Sequence, residues 1–92
     1  MKNMRFSEFL TMMYEKREIV FSYAGRTYNF ELSGQKINIY ELFEDRDGVK
    51  VYDESIDEKS YIDQIDKIIE AKLFDGKSLM EMENGITVLS NS

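Results

Sequence analysis

The 92-residue chain carries twelve Lys or Arg against eighteen Asp or Glu, a formal net charge of -6, and no His, Cys, Pro or Trp. Without imidazole or thiol, the usual general bases and nucleophiles of neutral-pH catalysis are missing, and with them most enzyme classes. Carboxylate pairs can still work in a glycosidase or with a hard metal, but only inside a cleft that so short a chain can hardly build.

A chain of this length has room for one core and buries roughly 60 to 65% of the surface its unfolded form exposes. A single domain over residues 1–92 is therefore expected. Its 42% hydrophobic content is too high for a disordered chain, yet no apolar run is long enough to span a membrane. The stretch Met1 to Leu10 holds Lys2, Arg5 and Glu8 and builds no apolar signal segment, and the lack of cysteine suits a reducing compartment. A cytoplasmic protein with no membrane partner is the expectation. Charge is uneven: residues 1–40 hold six bases against four acids, and residues 41–92 hold six against fourteen. Between Glu41 and Asp66, ten acids face only Arg46, Lys50 and Lys59. Such a stretch repels nucleic acid and anionic lipid, and its simplest role is that of a solvated, solubilising face.

In chain order, Phe6, Phe9, Leu10, Met13 and Tyr14 recur at helical spacing and predict an amphipathic helix from about Ser7, as N-cap, to Arg17. The period then changes to two. Ile19, Phe21 and Tyr23 alternate with Val20, Ser22 and Ala24, the turn Ala24-Gly25-Arg26 follows, and Tyr28, Phe30 and Leu32 continue the inward set. A second turn at Ser33-Gly34-Gln35 leads to a third strand, with Ile37 and Ile39 inward and Tyr40 outward. After the polar loop Glu44 to Gly48, Val49-Lys50-Val51-Tyr52 predicts a fourth strand. Ser55-Ile56-Asp57-Glu58 has the spacing of a capping box and predicts the start of a helix. Its stripe is Tyr61, Ile62, Ile65, Ile68, Ile69 and Leu73, and Gly76 is its predicted stop. Ser78 to Glu81 is a second capping box opening a short helix, Asn84-Gly85 is a turn, and Ile86 to Leu89 is a last strand or an extended tail. Only one face of the sheet is apolar. The pattern therefore predicts an α+β, two-layer domain: a three- to four-stranded, mainly antiparallel meander with helices on one face, in the order α-β-β-β-β-α-α-β.

Phe43 to Glu54 nearly matches a calcium loop, with Asp45, Asp47, Gly48 and Glu54 at its third, fifth, sixth and twelfth positions. Phe43 stands where the first ligand must be Asp, Lys50 stands where an apolar residue belongs, and the flanks read as strands. The stretch is read as a solvated turn, with no metal and no other cofactor expected. Aromatics on a sheet can stack nucleobases, but Tyr23 and Tyr28 fall on the inner face and the sheet lacks basic company. Tyr40 is expected to be exposed. Met1, Met4, Met12, Met13, Met80 and Met82 lie near the two chain ends and are expected in the core, except Met12, which falls off the apolar stripe of the first helix. The candidate partner-binding residues are Asp45, Asp47, Asp53, Glu54, Tyr40 and Met12.

The N-terminal helix, the hairpin Tyr23-Ala24-Gly25-Arg26-Thr27-Tyr28-Asn29-Phe30 and the closing run Phe74-Asp75-Gly76-Lys77-Ser78-Leu79-Met80-Glu81 resemble small acidic proteins of Gram-positive phages and conjugative elements. The resemblance covers most of the chain as an arrangement of elements. It implies a cytoplasmic accessory role in a mobile element and brings no catalytic residue with it. Some phage proteins of this kind imitate nucleic acid and inhibit host defence enzymes. The expectation is a non-enzymatic module that binds a protein partner, without direct nucleic-acid binding, as a monomer or weak homodimer. The alternative is an acidic DNA mimic whose carboxylates face a basic groove, a row that Arg46, Lys50 and Lys59 interrupt. An enzyme working by carboxylates alone is disfavoured, since no acid pair has a recognisable spacing.

Overall fold

A computed structural model describes residues 5–92. The elements run α1 (Phe6–Tyr14), β1 (Ile19–Tyr23), β2 (Arg26–Ser33), β3 (Lys36–Leu42), β4 (Val49–Ser55), α2 (Tyr61–Glu70), a single 3₁₀ turn at Met80–Met82 and β5 (Thr87–Asn91). All strand pairs are antiparallel and the sheet order is β4-β3-β2-β1-β5. The protein is α+β, with the predicted meander and both helices contributing to a core on one face of the sheet. The sheet has five strands, one more than the upper expectation, because the stretch after Asn84-Gly85 pairs with β1 instead of trailing as a tail.

Turn chemistry fixes the meander. Ala24 and Gly25 have φ of 51° and 80°, and Gly34 and Gln35 have 59° and 67°, so both two-residue links place two successive residues in the left-handed region. That is the geometry whose twist matches antiparallel strands. Asp75 and Gly76 repeat it at φ 55° and 80°, with Phe74 and Lys77 exchanging backbone hydrogen bonds of 3.0 and 3.1 Å. Gly76 therefore closes a tight turn and is not the stop of α2. The helix ends at Glu70, with Ala71 extended at ψ 142°, which frees the chain to bury Phe74 edge-on against Tyr28 at 5.0 Å between ring centroids.

The inner face of the sheet supplies Ile19, Phe21, Tyr28, Phe30, Ile37 and Ile39, all buried. α1 covers it with Phe9, Met12 and Met13, and α2 with Tyr61, Ile65, Ile68 and Ile69. Phe9 stands edge-on to Phe21 at 5.0 Å, and the Tyr61 hydroxyl donates to the Met13 carbonyl at 2.8 Å, tying the two helices together across the core. Among the described residues, both α-helices pack on the inner face and none on the outer.

Several local expectations are corrected. Met12 is only 5% exposed, so it is a core residue and not a surface contact. The buried side of α1 is centred on Phe9, Met12 and Met13, while Leu10 and Tyr14 are left half-buried at its flank. Ser7 lies inside α1, where its carbonyl accepts from Thr11 Oγ1 at 2.9 Å; Arg5 is the N-cap and makes no side-chain cap. The helix stops at Tyr14, short of Arg17, because Lys16 turns left-handed at φ 62°. The Lys16 and Arg17 amides then donate back to Met13 and Met12, with a lysine where such a C-terminal cap usually has glycine. Ser55 ends β4 and opens no helix; α2 begins at Tyr61, and Ile62 is 61% exposed, off the buried stripe. The second capping box forms as expected: the Glu81 amide donates to Ser78 Oγ at 3.3 Å and the Ser78 amide to Glu81 Oε1 at 3.0 Å. Met13 and Met82 are buried, but Met80 is 49% exposed. Met1 and Met4 lie outside the described residues.

Candidate functional site

Five of the six candidate residues lie on one supersecondary unit, the β3–β4 hairpin with its loop of residues 43–48. Tyr40 is in β3, Asp45 and Asp47 are in the loop, and Asp53 and Glu54 are in β4. Met12 belongs to the core instead. The hairpin does not gather the acids on one surface. Alternation along β4 puts Asp53 opposite Asn38 on the outer face and Glu54 opposite Ile37 on the inner side, while the loop carboxylates stand at the hairpin tip.

Asp53 is held from two sides, by Lys50 Nζ at 3.0 Å and Lys36 Nζ at 3.5 Å. The Lys50 hydrogen bond and the charge of Lys36 bring its carboxyl below the usual range, and the same bond raises the Lys50 ammonium. Tyr40 is half-buried where exposure was expected, with Lys50 Nζ 5.6 Å from its ring centroid. The pair Tyr40 and Lys50 is cross-strand, and a bulge next to it leaves Val51 without a partner on β3. In the loop, the Arg46 guanidinium lies 4.1 Å from the Phe43 ring centroid, and Glu44, Asp45 and Asp47 are exposed. Glu41 is drawn inward to Arg26 at 3.3 Å, and Arg26 also reaches Asp75 at 3.4 Å. Asp66 accepts a hydrogen bond from the Tyr14 hydroxyl, and this bond is the main reason the phenol is pushed up to about 12. Among the described residues, no three His, Cys, Asp or Glu side chains are placed to share a metal ion.

Beside β4, facing α2, lies an open groove of about 460 Å³ lined by Tyr52, Glu54, Ser55 and Asp57 and by one side of α2 with its flanking residues Ser60 and Ala71. Gln64 organises its end: Oε1 accepts the Asp57 amide at 2.8 Å, and Nε2 donates to the Ser55 carbonyl, also at 2.8 Å. Asp57 in turn accepts from the Ser60 hydroxyl at 2.7 Å and from the amides of Lys59 and Ser60, so its carboxyl is held below the ordinary range by Ser60 first. Sequence reasoning missed this groove. The signal available was the series Ser60, Gln64, Lys67 and Ala71, a second polar-to-small stripe running beside the isoleucine stripe of α2 at three- and four-residue spacing. No helix among the described residues is long and apolar enough to cross a membrane. No family model matches the chain, and no curated protein or solved structure matches it significantly.

Proposed function

We propose that this chain is a non-enzymatic, protein-binding accessory module of a mobile element, cytoplasmic, monomeric or weakly dimeric, contacting its partner through the β3–β4 hairpin. The observation that carries the reading is the hairpin itself. It projects from the sheet an exposed loop whose acids take part in no ion pair among the described residues, has a half-buried tyrosine close to that loop, and is flanked by a groove. Binding residues are disproportionately found on loops positioned by such a scaffold. The DNA-mimic alternative loses support from the placement of the acids. A phosphate-like row needs unpaired carboxylates on one surface, whereas Glu41, Asp53, Asp57 and Asp66 are occupied within the fold, and Glu44, Asp45 and Asp47 stand in the hairpin loop, Glu54 on the inner side of β4 and Asp63 on α2.

The test is affinity capture from cells of its source with the wild-type chain and with a variant carrying Asp45→Asn and Asp47→Asn. A specific protein retained by the wild type and reduced by the loop variant supports the hairpin as the contact. Capture of the same protein in equal yield by both refutes it.

A further inference from the structure

The groove between β4 and α2 combines an apolar floor with a negative rim. Tyr52, Ile68 and Ala71 contribute the apolar part. Glu54 stands on the β4 wall and Asp63 in the first turn of α2, with Asp57 on the connection between them; Lys67 is the one base among the lining residues. Neither Glu54 nor Asp63 takes part in an ion pair among the described residues, whereas Asp57 is already satisfied by Ser60 and Lys59. Two carboxylates without an ion pair among the described residues thus line one groove together with a tyrosine.

Strand addition is a poor use of this edge. The bulge at Val51 breaks its regularity, and Gln64 already takes the Ser55 carbonyl. A side chain is the better occupant. The geometry points to the groove as a receptor for an arginine of the partner protein, the stem lying on Tyr52 and Ala71 and the guanidinium between Glu54 and Asp63. Charge complementarity selects a cation, and the choice of arginine over lysine follows from the chemistry of the slot. A guanidinium is weakly hydrated, stacks on aromatic rings, and has five donors in a fork that can serve two carboxylates at once. This inference rests on the protein-binding reading and specifies the partner chemistry that the groove takes.

The probe is a blocked six-residue peptide of alternating arginine and threonine, titrated against the isotope-labelled chain by NMR. Its control is the same peptide with citrulline, which keeps the shape and removes the charge. Saturable amide shifts are expected at Tyr52, Glu54, Gln64 and Ala71. They should weaken about tenfold with citrulline, and to a similar extent with the arginine peptide on the Glu54→Gln, Asp63→Asn variant, since each change removes one side of the same charge-assisted contact. An unchanged melting temperature establishes that the variant is folded. Equal binding of the two peptides, full binding by the variant, or no groove shifts at all would overturn the proposal. Shifts confined to residues 43–48 would also overturn it while leaving a hairpin-borne contact standing. In the capture experiment, equal yield from the wild-type chain and the loop variant strikes the hairpin contact, and capture of no specific protein strikes the protein-binding reading, whatever the peptides do.

Discussion

Ile65→Ala is expected to remove about 3 kcal/mol of stability. Ile65 is fully buried at the middle of α2, where the helix covers the inner face of the sheet. The substitution deletes three carbons, a transfer loss of about 0.8 kcal/mol each, and a residual cavity adds further cost because the sheet beneath cannot collapse into it. Against a total of roughly 5 to 15 kcal/mol for a domain of this kind, that is a large fraction, and it corresponds to a fall in melting temperature of about 12 to 24 °C. Urea unfolding followed by circular dichroism measures it, with an unchanged slope showing that the unfolded state is not the source. Ile62→Ala is the internal control: the same chemistry on the same helix, at a side chain 61% exposed, should cost no more than about 0.5 kcal/mol. A loss below about 1 kcal/mol at Ile65, or equal losses at the two positions, would mean that the buried face of α2 has been misassigned.

Ala24→Asn should stabilise the chain by about 0.5 to 1 kcal/mol in the same melts, since position 24 is held left-handed at φ 51°, where asparagine is better tolerated than alanine. Glu81, held at about 2 against an ordinary 4.5 by the Lys72 ammonium and then the Ser78 amide, contributes stability that is complete above 4.5 and lost as pH falls through about 2. A carboxyl NMR titration of Glu81 with its midpoint above 4 would contradict this. Burial pushes the Tyr61 phenol up to about 12 from an ordinary 10.0, so its contribution is complete below pH 10 and lost as pH rises through about 12. Ultraviolet titration should find this tyrosine ionising only as the fold fails.

The meander was legible because its signals are local. Alternation from Ile19 to Ile39 sets the inner face, and the two-residue links at Ala24-Gly25 and Gly34-Gln35 set the register without reference to distant residues. The capping box at Ser78 was equally readable, since both of its partners lie within one turn. What could not be read depends on contacts far apart in sequence. Met12 lies off the stripe drawn through Phe6, Phe9, Leu10 and Met13 and becomes core through the way α1 sits on the sheet. Ser55 to Glu58 has the spacing of a cap, but Ser55 is taken into β4 opposite Lys36, and the helix waits until Tyr61. β5 is a weak strand alone and exists through pairing with β1, with Ser22 opposite Thr87 and Ile19 opposite Asn91 far apart in the chain. At the candidate site, the strand and loop signals placed Tyr40, Asp45, Asp47, Asp53 and Glu54 on two neighbouring strands and the loop between them. They could not show that Asp53 is paired with lysines from two strands while Glu54 borders a groove made by a helix that follows later.

Hydrogen exchange of the captured complex against the free chain tests the hairpin contact most directly. New protection is expected of amides in residues 40–57, strongest in the 43–48 loop and along β4, with β5 and the exposed side of α1 unchanged. Protection that falls on α1 or β5 and leaves the hairpin exchanging at its free rate would contradict it.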